Sequence, residues 1–291
     1  MNSLGHWGWL VINYLFFGGL GAGAYLTSFA AEKGLFGKSS NLKRTGYFIS
    51  GPCIVIATFL FSLNLGVSIT GLFTMITNPR SVMTWGIFIL IAFIVVGFIC
   101  AFYKRENKEI PTLISWLGAV LALATVIYTG QLLSSLFAEP FWNTLLIPSL
   151  FVVSALAMGL ASTSLLARFN GKATIKEGVR VNRIYMVLIL VKLILLFILL
   201  FSSSSGMKGA VAARSAQTIV AGSLALPFWV LLIVIGLAFP LFYQISQSKE
   251  HKGNSSKYLG TLCELSVLIG GLTLRAIVIF SAVPIWDRLI K

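Results

Sequence analysis

Charge is what this 291-residue chain has least of: Asp, Glu, Lys and Arg make up 10% of it, against 57% hydrophobic residues and a mean hydropathy of +0.93. That balance excludes a soluble domain of this length and leaves a polytopic membrane protein. Histidine is scarcer still. His6 and His251 are the two, one at the edge of the first apolar run and one in a polar loop, so no pair of axial ligands exists for a transmembrane haem. Cysteine is limited to Cys53, Cys100 and Cys263, far apart in apolar stretches and never as CxxC. They cannot hold an iron–sulfur cluster and read as small buried hydrophobes. No Lys or Arg precedes the first apolar run, so the N-terminus does not resemble a cleaved signal peptide. The net charge of +14 is a topology signal in so apolar a chain, not a nucleic-acid surface.

What is present is a series of apolar runs, each long enough to span a bilayer at about 20 residues. They fall near 7–31, 46–75, 83–103, 112–136, 143–167, 184–204, 226–246 and 259–281. Fifteen of the 22 basic residues lie in the loops at 33–44, 104–111, 168–183 and 247–257, and five on the other side. Lys192 and Arg275 remain inside helices. The excess of basic residues in alternate loops places both termini outside the cytoplasm. The expected fold is all-α integral membrane: a single domain over 1–291, with eight transmembrane helices in two packed four-helix bundles.

The first run carries NYLFFGGLGAGA (13–24), with Gly18, Gly19, Gly21 and Gly23. A nucleotide-binding glycine loop needs a preceding strand and a soluble βαβ unit, which are lacking. Gly19 and Gly23 instead form a GxxxG pair that lets bilayer helices approach closely. Tryptophan marks the outer helix ends at Trp7, Trp9, Trp85, Trp142, Trp229 and Trp286, with Trp116 alone near the inner face. The short outer connections 76–85 and 137–144 are rigid by composition, and read equally as a docking face or as tight turns with an anchoring Trp. PFW recurs at 140–142 and 227–229 and hints at internal repetition. The small-residue stretch 202–225 is expected to form an outer loop with a short helix lying on the bundle.

Polar side chains at membrane depth are costly and default to functional candidates. At about 1.5 Å per residue, Tyr14, Tyr128 and Arg275 all fall roughly 10–12 Å below the outer surface. Asn13 adjoins Tyr14, and Gln131 is expected on the face of Tyr128, one turn above it. Together they suggest a polar pocket in the outer half, open to apolar ligands from the bilayer. Asn64 and Lys192 are expected near mid-membrane and Glu264 below them, forming either a proton route or interhelical hydrogen-bond posts.

The stretches YLFFGGLGAGAYL (14–26), NPRSVMTWGIFIL (78–90), YTGQLLSS (128–135), PFWNTLLIPSLFVVSALAMG (140–159) and IGGLTLRAIVIFSA (269–282) resemble the polysulfide reductase membrane-subunit family, the NrfD-like quinone-interacting anchors. The likeness runs from the first helix to the last. It implies an anchor in the bacterial cytoplasmic membrane exchanging electrons between a quinone pool, menaquinone above all, and an extracytoplasmic ferredoxin-like iron–sulfur subunit. That subunit serves a molybdopterin catalytic subunit in such complexes. The resemblance implies quinone contacts at Tyr14 and Tyr128, with Asn13 and Gln131 expected to support them. Arg80 and Arg275 are candidates to balance charge on the reduced carrier, Arg275 reading equally as a structural post bonded to carbonyls. No metal or catalytic nucleophile is expected in this protein. Some relatives carry His at Tyr14, many an acid at Asn64 and several Glu near Lys192. Those departures put an acidic proton relay in doubt. Two other classes compete: a secondary transporter built on midplane polar groups, and a purely structural tether.

Overall fold

The structure, a computed structural model, describes residues 8–36, 42–65, 82–135, 139–169, 175–249 and 257–282. The described helices are α1 (Trp9–Glu32), α2 (Leu42–Leu65), α3 (Val82–Arg105), α4 (Thr112–Ser134), α5 (Leu146–Phe169) and α6 (Ile175–Ser204). They are followed by the short α7 (Gly209–Val220), by α8 (Pro227–Ala238) running into α9 (Phe239–Lys249), and by α10 (Lys257–Phe280). Among the described residues there is no strand. Eight helical segments are long and apolar enough to cross a membrane, the seventh being α8 and α9 together over Pro227–Gln247. Helices are what such runs must form, because hydrocarbon offers backbone N–H and C=O groups no partner outside the segment. Buried hydroxyls obey the same constraint. Thr27 donates to the Gly23 carbonyl at 2.8 Å, and Thr163 to that of Gly159 at 2.8 Å.

The helices pack as two rings of four. In the first, α1 touches α2 and α4, and α3 closes the circle between them. In the second, α5 touches α6 and α10, with α8 and α9 between those two. The rings meet along α1 and α5, while α4 packs on α5 and α10 on α1. Glycine makes this seam possible. A Cβ at Gly23 would overlap the backbone of Ala155, and one at Gly159 the backbone of Gly23. The crossing also shows where the sequence repeats: GAYLTS (23–28) and GLASTS (159–164) hold equivalent places in the two central helices. The PFW triplets do not. The first precedes α5 and the second forms the opening of α8, the first and third members of the second ring.

Helix α7 lies against α6 and α8, with Val211, Ala212, Ser215, Ala216 and Ile219 buried. This is the expected surface helix. Trp9, Trp85 and Trp229 are exposed, as belt residues should be. Trp142 is not. It is 1% exposed and its indole N–H donates to the Val278 carbonyl at 2.8 Å, so it ties the α4–α5 connection to α10 rather than anchoring in headgroups. Pro227–Ala238 winds as a π-helix, with hydrogen bonds five residues apart.

Candidate functional site

Helix α1 is the most enclosed span together with α5, and its glycines are the reason. Gly21 faces Cys53, Ile54 and the Ser50 carbonyl of α2, Gly23 faces α5, and Gly19 leaves room for the Arg275 guanidinium of α10. Drawn into contact on several sides, α1 turns Tyr14 fully inward, with 0% exposure. The Tyr14 ring packs on Phe61 of α2, centroids 4.8 Å apart. From across the ring α4 brings in Tyr128, also buried. Its ring and hydroxyl occupy the notch left by Gly86 of α3, where any Cβ would collide with them. Each helix of the first ring thus supplies one element of this site.

The two phenols are close enough to interact electrostatically. Neither hydroxyl has a hydrogen-bond partner among the described residues. A buried polar group left unpaired costs about 1–3 kcal/mol, and two at one level in an apolar ring form an unfinished site. Chemically, the pair offers two O–H donors that also accept, within a wall of aromatic and aliphatic carbon.

Arg275 closes the site on the side of the second ring. It is fully buried, donating from Nε to the Leu15 carbonyl at 2.9 Å and from Nη1 to the Gly271 carbonyl at 2.9 Å. Nη1 also reaches the Ser154 hydroxyl at 3.3 Å and the Met158 sulfur at 3.6 Å, and the guanidinium lies 5.2 Å from the centre of the Phe151 ring. These bonds make it a post joining α10, α1 and α5. Of its nitrogens, Nη2 has no partner among the described residues. Lys192 of α6 is buried and lies within electrostatic range of Arg275.

Other sequence candidates fall elsewhere. Gln131 is exposed, in line with Trp116, Val120 and Ile127 on the lipid-facing stripe of α4. A step of three residues turns a helix by only 300°, and the missing 60° carries Gln131 off the face of Tyr128. Asn13 spends its amide on its own helix, donating to the Trp9 carbonyl at 2.8 Å. Asn64 does not sit at mid-membrane. It lies almost one turn beyond Phe61, the residue against Tyr14, and so belongs to the outer level. The expected run over 46–75 set its depth wrongly, because α2 already begins at Leu42. Glu264 is bound to Arg168 of α5, Oε1 to Nε at 2.6 Å. Arg80 lies outside the described residues.

Three residues escaped sequence reasoning. Phe61 and Gly86 shape the site without polar atoms, so no chemical signal marks them; Gly86 does stand inside one of the resembling stretches. Glu139, in the α4–α5 connection, is 4% exposed, and its Oε2 has no partner. Burial pushes its carboxyl up to about 7.

Residues 1–285 match the family described as NrfD, polysulphide reductase. The protein belongs to that family. The C subunit of the polysulfide reductase of Wolinella succinogenes is 27% identical over 307 residues, covering 94% of this sequence and 93% of that protein. An NrfD homolog of Haemophilus influenzae is 25% identical, covering 94% of each. The family and the eight spans make this NrfD-family member a multi-pass membrane protein.

Proposed function

We propose that this protein is the quinone-binding membrane subunit of a respiratory molybdenum and iron–sulfur oxidoreductase, passing electrons between the quinone pool and an extracytoplasmic iron–sulfur subunit. The observation that carries this reading is that the buried hydroxyls of Tyr14 and Tyr128, on tyrosines close enough to interact, have no partner among the described residues. The likeness to a protein named as one lettered component of a polysulfide reductase supports a multi-subunit setting. Family membership supports the bacterial cytoplasmic membrane as its location, with the catalytic partner held outside.

A quinone supplies two carbonyl oxygens, carried on an apolar ring and tail, and two-electron redox chemistry coupled to protons. The residues of this site fit it. The Tyr14 and Tyr128 hydroxyls donate to carbonyl oxygens and thereby satisfy themselves. Phe61 against Tyr14, and Gly86 against Tyr128, hold the two phenols in apolar surroundings. Arg275, fixed by two backbone carbonyls, contributes positive charge and one free N–H beside α1. The resemblance favours menaquinone as the carrier and a molybdopterin protein as the terminal enzyme.

The test is quinol oxidation by the purified complex with a water-soluble menaquinol analogue. Co-purification of an iron–sulfur subunit and turnover lowered on the order of tenfold or more in Tyr128→Phe, with the subunits still associated, support the assignment. Undiminished turnover in Tyr128→Phe reduces the protein to a tether. Solute flux in proteoliposomes containing this protein alone points to transport instead.

A further inference from the structure

At the end of the first ring away from the tyrosines, a cleft of about 620 Å³ runs between α2 and α3. Phe48 of α2 and Phe98, Ile99, Phe102 and Tyr103 of α3 line it, and Arg105 stands at its edge. Its size lies within the range of small-molecule sites, roughly 300–1,000 Å³. Gly51 of α2 helps to open it: the Phe98 ring lies 3.5 Å from where a Cβ at Gly51 would be. Phe98 and Phe102 remain 48% and 58% exposed, so the aromatic wall faces the bilayer rather than a neighbouring helix.

The rim of this cleft is built and positively charged. Arg44 lies over the Phe48 ring, 5.4 Å from its centre. Its guanidinium donates to the Asn107 side-chain oxygen at 2.8 Å and to the Arg105 carbonyl at 3.5 Å. Asn107 sits in the left-handed region at φ 56°, which turns the backbone after α3 back towards Arg44. Of the acidic residues at the end of α1 and in the turn after α3, Glu32 pairs with Lys104 and Glu106 with Lys108, while the exposed Glu109 makes no ion pair among the described residues. Among the described residues neither Arg44 nor Arg105 has an ion-pair partner. An apolar groove at acyl-chain depth therefore ends beneath two uncompensated guanidinium groups at headgroup level.

We propose that this cleft binds one anionic phospholipid, an acyl chain along Phe48, Phe98 and Phe102 and the phosphate between Arg44 and Arg105. Basic pockets between transmembrane helices recognise such headgroups by charge, while the groove supplies affinity through buried apolar area. This site is separate from the tyrosine pair and does not depend on the quinone reading.

The experiment is native mass spectrometry of the purified full-length protein, with any co-purifying subunits, after delipidation and exposure to equal phosphatidylglycerol and phosphatidylcholine. One phosphatidylglycerol retained per protein, preferred on the order of tenfold or more, is the expected result. The Arg44→Ala, Arg105→Ala double variant should lose that preference, and Arg44→Lys, Arg105→Lys should keep most of it, which separates lost charge from a disturbed turn. Ala101→Trp, filling the groove, should lower retention of both lipids. Equal retention of the two lipids by the wild type overturns the proposal. So does an unchanged preference in the double alanine variant, or a bound isoprenoid that phosphatidylglycerol does not displace.

Discussion

The two rings solve one problem alike and another differently. Near the basic end each holds a partly buried ion pair reached by tyrosines. In the first ring Glu32 pairs with Lys104 across α1 and α3, and accepts from Tyr47 of α2 at 2.8 Å and from Ser115 of α4 at 3.2 Å. In the second ring Arg168 of α5 pairs with Glu264 of α10, with Tyr185 of α6 close enough to interact. The central helix supplies the acid in one ring and the base in the other. Such pairs contribute little net stability over apolar packing, but they fix which helices lie side by side.

The far ends diverge. In the second ring Arg275 fills the space and is largely satisfied by carbonyls. In the first, Tyr14 and Tyr128 meet with nothing to bond. Buried polar atoms lack partners among the described residues in and beside the second ring as well, among them Ser203 Oγ, Ser215 Oγ and Arg275 Nη2. What sets the first ring apart is that two of its unpartnered atoms belong to tyrosines close enough to interact.

The comparison can be broken most severely at the seam the rings share. Gly159→Val should force α1 and α5 apart and cost upwards of about 4 kcal/mol, seen as loss of monodisperse protein in detergent. A well-behaved Gly159→Val protein would mean the seam is looser than described.

Next come the ion pairs. Glu32→Ala strands Lys104, whose side chain is 16% exposed, and should cost about 3–5 kcal/mol. Glu264→Ala leaves Arg168 more accessible to water, its side chain being 35% exposed, and should cost less. Thermal unfolding ranks them, and the reverse order would refute the burial argument.

A finer contrast lies between a bonded and an unbonded tyrosine. Tyr25 donates to the Ser115 carbonyl at 3.2 Å and contacts the Cys100 sulfur at 3.3 Å. Tyr25→Phe should lose about 1 kcal/mol and keep quinol turnover. Tyr128→Phe removes an unpaired hydroxyl, so melting should be unchanged or slightly raised while turnover falls. If both variants behave alike in melting and in turnover, the outer tyrosines are not distinct.

The smallest effect belongs to Glu139. Its carboxyl binds a proton more tightly in the folded protein than in the unfolded one, so folding takes up a proton between about pH 4.5 and about pH 7. That contribution is complete below the lower value and is lost as pH rises through the upper one, a change on the order of 1 kcal/mol given the nearby solvent. The melting temperature should fall over this window in the wild type, and fall less in Glu139→Gln. Parallel pH profiles would show that the carboxyl is already hydrated.

Much of this is legible in the sequence, for identifiable reasons. Hydropathy gives the spans, because bilayer thickness fixes their length. Tyr14, Tyr128 and Arg275 emerge from counting residues in from helix ends, which works because rise per residue is constant. Rotation about the axis is the weak link. Gln131 is expected on the wrong face for that reason, and Asn64 at the wrong depth because helix ends read from hydropathy drift by several residues. Phe61 and Gly86 carry no polar signal, and nothing in PFWVLLIVIGLA (227–238) distinguishes a π-helix from an α-helix.

Composition alone settled that this protein lives in a membrane as eight helices, because so few charges cannot clothe a water-soluble core of this size. Its glycines announced close helix contacts without naming partners. Which helices meet, and that two phenols end within interaction range of one another with neither bonded among the described residues while a guanidinium is bonded to carbonyls, depended on tertiary packing. Adjacency across a bundle is set by side-chain fit between residues more than a hundred positions apart, and periodicity along one helix carries no record of it.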